Sequence, residues 1–376
     1  MKVLMLLPHI GSSGCWGMVR TLSQHLKTLG YTCHLGGDGA DNADPEIFDR
    51  TFQLTINRGW TGFLRCLRKV FQFDKDLRLI HVHSTKTLLF ACVLRLMRCS
   101  KAAIIYTHHL DLRESQFVRR IKGLLFSRCD RLHCATIDLA KQFVDLYEQD
   151  SARIAQIPLG ADDHVFYPAD QQEKIRLRQE FRIDPESLVI AFAGRLNPEK
   201  NLSLVLRTLS ENREKQPPLK LIVAGQGPSK PELQRQAAEL SLKEQVIFLG
   251  NVTSLRKVYA VSDLLVLPSY TETFGLVVVE AALCGVPALR SNTFGAVDQI
   301  IEGINGAIFN LSEPASFSRK LTDLLRSPER LRQMGDEARS LALQEFTAMR
   351  MAKRFDELFR KLTAVDARRE QEAIRV

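Results

Sequence analysis

Residues 267–288, LPSYTETFGLVVVEAALCGVPA, set two carboxylates, Glu272 and Glu280, around a Thr273-Phe274-Gly275 turn that opens an apolar helix. At about 100° per residue their separation leaves the second carboxylate within about 80° of the first. Glu272 precedes the first helical turn, so both can face one cleft from different depths. Glu280 lies between Leu276-Val277-Val278-Val279 and Ala281-Ala282-Leu283, and a helix so apolar is buried on most sides. A carboxylate there needs a partner. Carboxylates accept from hydroxyls, and free N–H groups at a helix start receive an anion. A nucleotide sugar, with hydroxyls at one end and an anion in the middle, meets both demands. The plainer alternative is a helix-start acid favoured by the macrodipole and a solvated Glu280.

Outward from this stretch, short apolar runs alternate with amphipathic segments, the pattern of stacked βαβ units. Expected strands in the first half are Val3–Leu7, Thr32–Leu35, Phe52–Ile56, Leu79–Val82, Ala103–Tyr106, Arg131–Cys134 and Ile154–Ile157. Helices are expected near 15–29, 60–71, 85–97, 114–127 and 138–148. After a polar interval from about Pro158 to Pro185, strands resume at Leu188–Ala193, Lys220–Ala224, Val246–Phe248, Leu264–Leu267, Pro287–Arg290 and Ala307–Phe309. Helices near 201–213, 229–241, 253–261, 275–283 and 295–301 separate them, and others at about 313–325, 328–344 and 349–363 close the chain. The expected fold is α/β, two doubly wound domains facing across a cleft, with ligands beyond the carboxyl ends of the strands.

A length of 376 residues suits two domains of roughly 150 residues each, and 45% apolar with 25% charged residues is ordinary for a globular protein. The apolar run Val3–Leu7 is too short for a signal peptide core, and no stretch is long enough to span a membrane, so a cytoplasmic location is expected. The eight cysteines match no zinc pattern and read as buried or partly buried thiols. The net charge of +9 is uneven. Residues 58–73 hold Arg58, Arg65, Arg68 and Lys69, no acid, and Trp60, Phe63, Leu64, Leu67, Val70 and Phe71 at helical spacing. Arg119-Arg120-Ile121-Lys122, followed by Gly123-Leu124-Leu125-Phe126, repeats the theme. Such helices suit an anionic membrane surface, or else a core-facing helix with a solvated basic back. No nucleic-acid-binding signature is present.

Further constellations follow strand ends. Gly194-Arg195-Leu196-Asn197-Pro198-Glu199-Lys200-Asn201 puts two cations at a helix start, where a diphosphate could meet them. Gly225-Gln226-Gly227-Pro228 permits close backbone approach to a ligand or is simply a tight turn. Gly11 to Gly17 follows the first strand and could admit a phosphate or sugar at the next helix start. Tyr106-Thr107-His108-His109 ends a strand, so at least one imidazole should reach the cleft. Asp74-Lys75-Asp76 imitates a metal-binding D-x-D but precedes a strand; it reads as a solvated turn, and no catalytic metal is expected.

Taken together, these residues resemble the retaining family 4 glycosyltransferases (glycosyl transferases group 1) of the GT-B fold, over almost the whole chain and most strongly from Ala191 to Phe309. Glu272 to Glu280 is the family's E-x7-E, Gly194-Arg195 to Lys200 its G-R-x4-K, and Tyr106-Thr107-His108-His109 its T-x-H strand end, with His109 as the histidine. Ile157-Pro158-Leu159-Gly160-Ala161-Asp162 resembles its I-P-N-G-V-D linker, with Leu159 in place of Asn. Ser13-Gly14 stands where the family has Gly-Gly, Gly17 where it often has a polar residue, and Phe294-Gly295-Ala296-Val297-Asp298 where it has Gly-Gly-x-x-Glu. These departures touch acceptor geometry more than donor binding.

The resemblance implies transfer of a hexose from a nucleotide-diphosphate sugar, with a UDP-sugar the expected donor, with retention and without metal or cofactor. The implied catalytic residues are His109, Arg195, Lys200 and Glu272. The implied donor-binding set is Gly14, Gly194, Arg195, Lys200, Gly225, Asn251, Val252, Glu272, Thr273, Phe274, Gly275, Leu276 and Glu280. Arg195, Lys200 and the amides of Phe274, Gly275 and Leu276 would take the diphosphate, Glu272 the sugar hydroxyls, Glu280 the ribose, and His109 the transferring sugar. The implied organisation is an acceptor-binding domain over 1–168, a donor-binding domain over 169–345, and a helix over 346–376 returning to the first domain. Lipopolysaccharide or another envelope glycan is the expected acceptor, reached from the inner face of the cytoplasmic membrane.

Two rivals remain. A nicotinamide-dependent oxidoreductase would use Gly11, Gly14, Gly17 and Asp38, but G-x-x-G-x-x-G is not G-x-G-x-x-G and leaves the cations and glutamates unexplained. A non-catalytic sugar-nucleotide-binding protein would keep the same donor residues.

Overall fold

The structure, a computed structural model, describes residues 1–11, 14–54, 77–96, 102–109, 115–211, 218–313 and 315–374, with side chains of the last helix to 364. The chain forms two units, Met1–Gly160 with Ala348–Val376, and Ala161–Thr347.

The first unit holds a parallel sheet of β1 (Lys2–His9), β2 (Thr32–Asp38), β3 (Arg50–Gln53), β4 (Leu79–Val82), β5 (Ala103–Thr107), β6 (Arg131–Cys134) and β7 (Ile154–Gln156), in the order β3-β2-β1-β4-β5-β6-β7. Val3 through Leu7 are all buried, as a strand covered on both faces requires, and this explains their unbroken apolar run. The C-terminal helix Ala348–Ile374 belongs here: Met351, Ala352, Phe355 and Phe359 join the core of Val19, Leu22 and Leu26, and Tyr31 donates to Asp356 at 2.8 Å.

The second unit repeats the plan with β8 (Leu188–Ala193), β9 (Leu219–Ala224), β10 (Val246–Gly250), β11 (Leu264–Leu267), β12 (Ala288–Ser291) and β13 (Gly306–Phe309), ordered β10-β9-β8-β11-β12-β13. All pairings in this sheet are parallel. Strand order reverses between β8 and β11, the crevice where doubly wound sheets bind ligands. In the first sheet the reversal lies between β1 and β4.

Some expectations shift. The first boundary falls at Gly160, not 168, because Phe166 packs on Tyr259 and Arg256 stacks on Tyr167 at 3.7 Å while donating to its carbonyl. The second falls after Thr347, since Phe346 packs against Phe274. The helix expected over 295–301 is only Ala296–Gln299, closed by extended Ile300. The last helix runs on to Ile374. The strand expected over Phe52–Ile56 is Arg50–Gln53, with Leu54 outside it and 55–56 beyond the described residues. The expected helix 60–71, the basic segment 58–73, Asp74-Lys75-Asp76, Ser12, Ser13, Cys66 and Cys99 lie outside the described residues. Among the described residues no helix is long and apolar enough to cross a membrane.

Candidate donor site and histidine cluster

The loops leaving β8 and β11 are stitched together at the switch point of the second sheet. Tyr270 N donates to the Glu199 carbonyl at 2.8 Å, and Asn201 Nδ2 to that of Pro268 at 3.2 Å. Asn201 takes the left-handed conformation at the end of a 3-10 turn over Pro198–Lys200, which aims Lys200 back at the second loop. Lys200 Nζ donates to Glu272 Oε1 at 2.5 Å, and Ser269 Oγ donates to the same oxygen at 2.9 Å. Oε2 of Glu272 has no partner among the described residues. Arg195, one turn earlier, is exposed and makes no ion pair among them.

The helix Leu276–Leu283 starts at Gly275, whose φ of 81° favours glycine and which supplies no side-chain cap. A Cβ there would lie 3.0 Å from Leu267 and 3.4 Å from Arg290 Nη1. Arg290 is fully buried and donates to the carbonyls of Phe274 at 3.0 Å and Phe294 at 2.8 Å. It fixes the turn from below, so first-turn amides are offered without a side-chain acceptor. One turn into the helix, Glu280 Oε2 accepts from Tyr259 Oη at 3.1 Å. Burial pushes the Glu280 carboxyl up to about 7, against the opposing pull of the Tyr259 hydrogen bond.

The remaining expected donor residues divide. Thr273 and Leu276 are half-buried beside the helix start, and Phe274 is buried under it. Asn251 is exposed just beyond β10, with Val252 half-buried against the core. Gly225 has a packing duty: with φ 148°, a Cβ on it would lie 1.8 Å from the Gly194 carbonyl oxygen. Gly14, at the first helix start of the other unit, is the reverse case, since a Cβ there meets nothing within 4 Å.

In the first unit His109 lies beyond β5, where His83 Nδ1 and His109 Nε2 are 2.9 Å apart. His108 is buried among Phe126, Phe143 and Tyr147, so only one of the two strand-end imidazoles is half-exposed. Burial lowers His83 well below its usual value and His109 to about 3, so both are neutral and share one N–H. His83 Nε2 is buried without a partner among the described residues, and a bare nitrogen there costs less than an orphaned N–H. His83 Nδ1–H therefore donates, and His109 keeps its own proton on Nδ1. Behind this pair, His133 Nε2 donates to the Ile157 carbonyl at 2.8 Å. Its Nδ1 must then accept from Thr107 Oγ1 at 2.9 Å, and Thr107 accepts from His81 Nε2 at 2.6 Å. The His81 ring lies 4.2 Å from that of His83, tilted by 38°, so the chain of tautomers backs the His83–His109 pair.

Cys15, His83 and His109 bring one ligand atom each within 4.8 Å of one another, the set among the described residues that could hold a soft metal. Its closeness is already accounted for by the imidazole hydrogen bond, and burial holds the Cys15 thiol protonated, up to about 12. Asp38, the ribose candidate of the oxidoreductase reading, accepts from Gln53 at 3.0 Å. Tyr259, Ser269, Asn201, Arg290 and His83 are site residues the motifs did not reveal.

The profile of the family described as Glycosyl transferases group 1 matches residues 173–341, and that of Glycosyltransferase Family 4 matches residues 13–165. The chain belongs to the family 4, group 1 glycosyltransferases. This family 4 chain is 37% identical over 206 residues to the D-inositol 3-phosphate glycosyltransferase of Mycobacterium marinum, a match taking in 53% of the chain. The chain spans less than half, 42%, of that relative's length. Among solved structures, Anabaena HepE in complex with UDP superposes with a TM-score of 0.84 at 22% identity, over 96% of this chain and 100% of that one. The lipopolysaccharide outer core galactosyltransferase WaaB, in its apo form, gives 0.73 at 16% identity, over 96% and 100%. The fold of this family 4 member is GT-B.

Proposed function

We propose that this chain transfers a hexose from a nucleotide-diphosphate sugar, a UDP-sugar by preference, to a hydroxyl of a cell-envelope glycan or glycolipid, with retention and without a metal. The carrying observation is the Lys200–Glu272 pair beside the uncapped helix start, with Glu280 held by Tyr259 one turn on. Arg195, Lys200 and the amides of Phe274, Gly275 and Leu276 neutralise the diphosphate, the task a metal performs in other transferases. Glu272 Oε2 accepts from a sugar hydroxyl, and Glu280 from the ribose. The UDP bound by the HepE neighbour supports the choice of nucleotide.

In the transfer, the acceptor oxygen bonds to the anomeric carbon as the bond from that carbon to the β-phosphate oxygen breaks. The acceptor proton passes to the departing phosphate oxygen, so no protein base is consumed. Arg195 and Lys200 hold the growing negative charge, and His109 offers its Nδ1–H to a sugar hydroxyl. The envelope acceptor, reached from the inner face of the cytoplasmic membrane, is supported by the likeness to WaaB, a lipopolysaccharide outer core galactosyltransferase, and by the basic apolar segments. The Mycobacterium marinum relative favours a second reading, a phosphorylated polyol acceptor.

Incubation with UDP-sugars and either extracted envelope lipids or inositol phosphates, with product masses read by spectrometry, tests both. A hexose added to a lipid supports the first reading; a glycosylated inositol phosphate alone replaces it with the second.

A further inference from the structure

Two helices of the first unit carry matched apolar stripes that the fold leaves uncovered. On Thr85–Leu96 the stripe is Leu89, Val93 and Leu96; on Gln116–Phe126 it is Phe117, Ile121 and Leu124. Each follows i, i+4, i+7 spacing and so occupies one helix face. The second helix seats its opposite face inward: Phe126 is buried, and a Cβ on Gly123 would lie 2.9 Å from the Tyr147 carbonyl. Leu96, Phe117 and Leu124 are consequently 73%, 72% and 72% exposed. A groove of about 870 Å³ runs between the stripes, lined by Leu89, Val93, Leu96, Ile121 and Leu124.

Among the described residues the charge on the two helices is basic. Neither helix contains an Asp or Glu, and Arg120 and Arg128 are exposed beside the second stripe. The groove's acid, Asp130, is engaged by Arg95. A second copy of this chain would bring these cations against themselves in a two-fold contact, whereas anionic headgroups over acyl chains match both features. We propose that this face docks on an anionic lipid bilayer, with Leu96, Phe117, Ile121 and Leu124 entering the interface and Arg120 and Arg128 meeting headgroup phosphates. The proposal rests on the envelope-acceptor reading for its purpose, though not for its geometry.

Flotation of the full chain with phosphatidylcholine vesicles, with and without phosphatidylglycerol, tests it. Wild type should float with the anionic vesicles and lose part of its binding as salt rises. Arg120→Glu with Arg128→Glu should weaken binding by about fivefold or more per site. Ile121→Glu with Leu124→Glu should weaken it roughly tenfold or more at every salt concentration. UDP binding, unchanged in both double variants, certifies their folding and keeps this test apart from the transferase reading. Wild type that ignores lipid charge, or double variants that float like wild type, would overturn the proposal. So would a wild-type dimer in sedimentation that Ile121→Glu with Leu124→Glu dissolves.

Discussion

Lys200 Nζ lies 2.5 Å from Glu272 Oε1, joining the loops that leave adjacent strands β8 and β11. The pair is mostly buried, with 22% and 11% of the two side chains exposed. Lys200 and Ser269 share the same carboxylate oxygen, and the second oxygen has no partner among the described residues. On the proposed reading this pair holds the cation for the diphosphate and the carboxylate for a sugar hydroxyl. Breaking such a pair leaves the partner charge uncompensated.

Arg195→Ala and Lys200→Ala should each lower turnover by roughly two to three orders of magnitude, the scale of removing a stabiliser of developing charge. Lys200→Ala should also disturb sugar handling, because Glu272 loses its anchor; Arg195→Ala should not. Steady-state kinetics with folding checked by circular dichroism decides, and near-normal turnover in both variants counts against the assignment.

The two glutamates should separate by ligand. Glu280→Gln is expected to weaken binding of nucleoside diphosphate and intact donor alike, whereas Glu272→Gln should impair the donor and spare the free nucleotide. Titration calorimetry with UDP and a UDP-sugar measures this. Equal losses for both variants on both ligands would show that the carboxylates do not divide the ligand.

A pH dependence follows from the buried Glu280. Its folded pKa, about 7, lies above its ordinary value of 4.5. Its protonated form therefore stabilises the free protein below pH 4.5, and this contribution is lost as pH rises through 7. Ribose hydroxyls need the ionised acceptor, so UDP-sugar affinity should rise between about pH 6 and 8. Glu280→Gln should flatten that rise, and Tyr259→Phe, which removes a hydrogen bond to the carboxylate, should move its midpoint upward. A UDP-sugar is the proper ligand because its diphosphate diester does not titrate in this range.

The hydrogen bond from His83 should position His109. His83→Leu should cut turnover on the order of a hundredfold, as for a misplaced contact, while His83→Asn restores part of it by supplying an N–H near the former Nδ1. Nitrogen-15 spectra should place the His109 proton on Nδ1 in wild type and show mixed tautomers in His83→Leu. An unchanged tautomer in His83→Leu rules the relay out.

The doubly wound plan was open to reading because parallel strands buried on both faces leave unbroken apolar runs, as at Val3–Leu7 and Leu188–Ala193. Glu280 stood out for a similar reason, as a charge interrupting such a run, and Glu272 by its spacing from it. The contacts that hold them were less open: Tyr259 lies 21 residues from the Glu280 oxygen to which it donates, and Asn201, which ties the two loops together, lies 67 residues from the Pro268 carbonyl. His83 carries no motif of its own and enters the site only because the pairing of β4 with β5 sets it beside His109. Gly225 was open to two readings, and the Gly194 carbonyl demands its missing side chain whether or not a ligand comes near. The short helix over Ala296–Gln299 was overextended because Ile300 and Ile301 continue the apolar pattern after the backbone has turned extended.

The central claim is that the switch point of the second sheet receives a nucleotide-diphosphate sugar and cleaves it. Release of UDP from a panel of UDP-sugars, followed for wild type and Lys200→Ala in the presence of envelope lipids, tests it most directly. The account predicts acceptor-dependent UDP release from at least one donor, reduced roughly a hundredfold or more in Lys200→Ala. Binding without release would leave a sugar-nucleotide-binding protein in place of an enzyme, and equal release by both proteins would contradict the site.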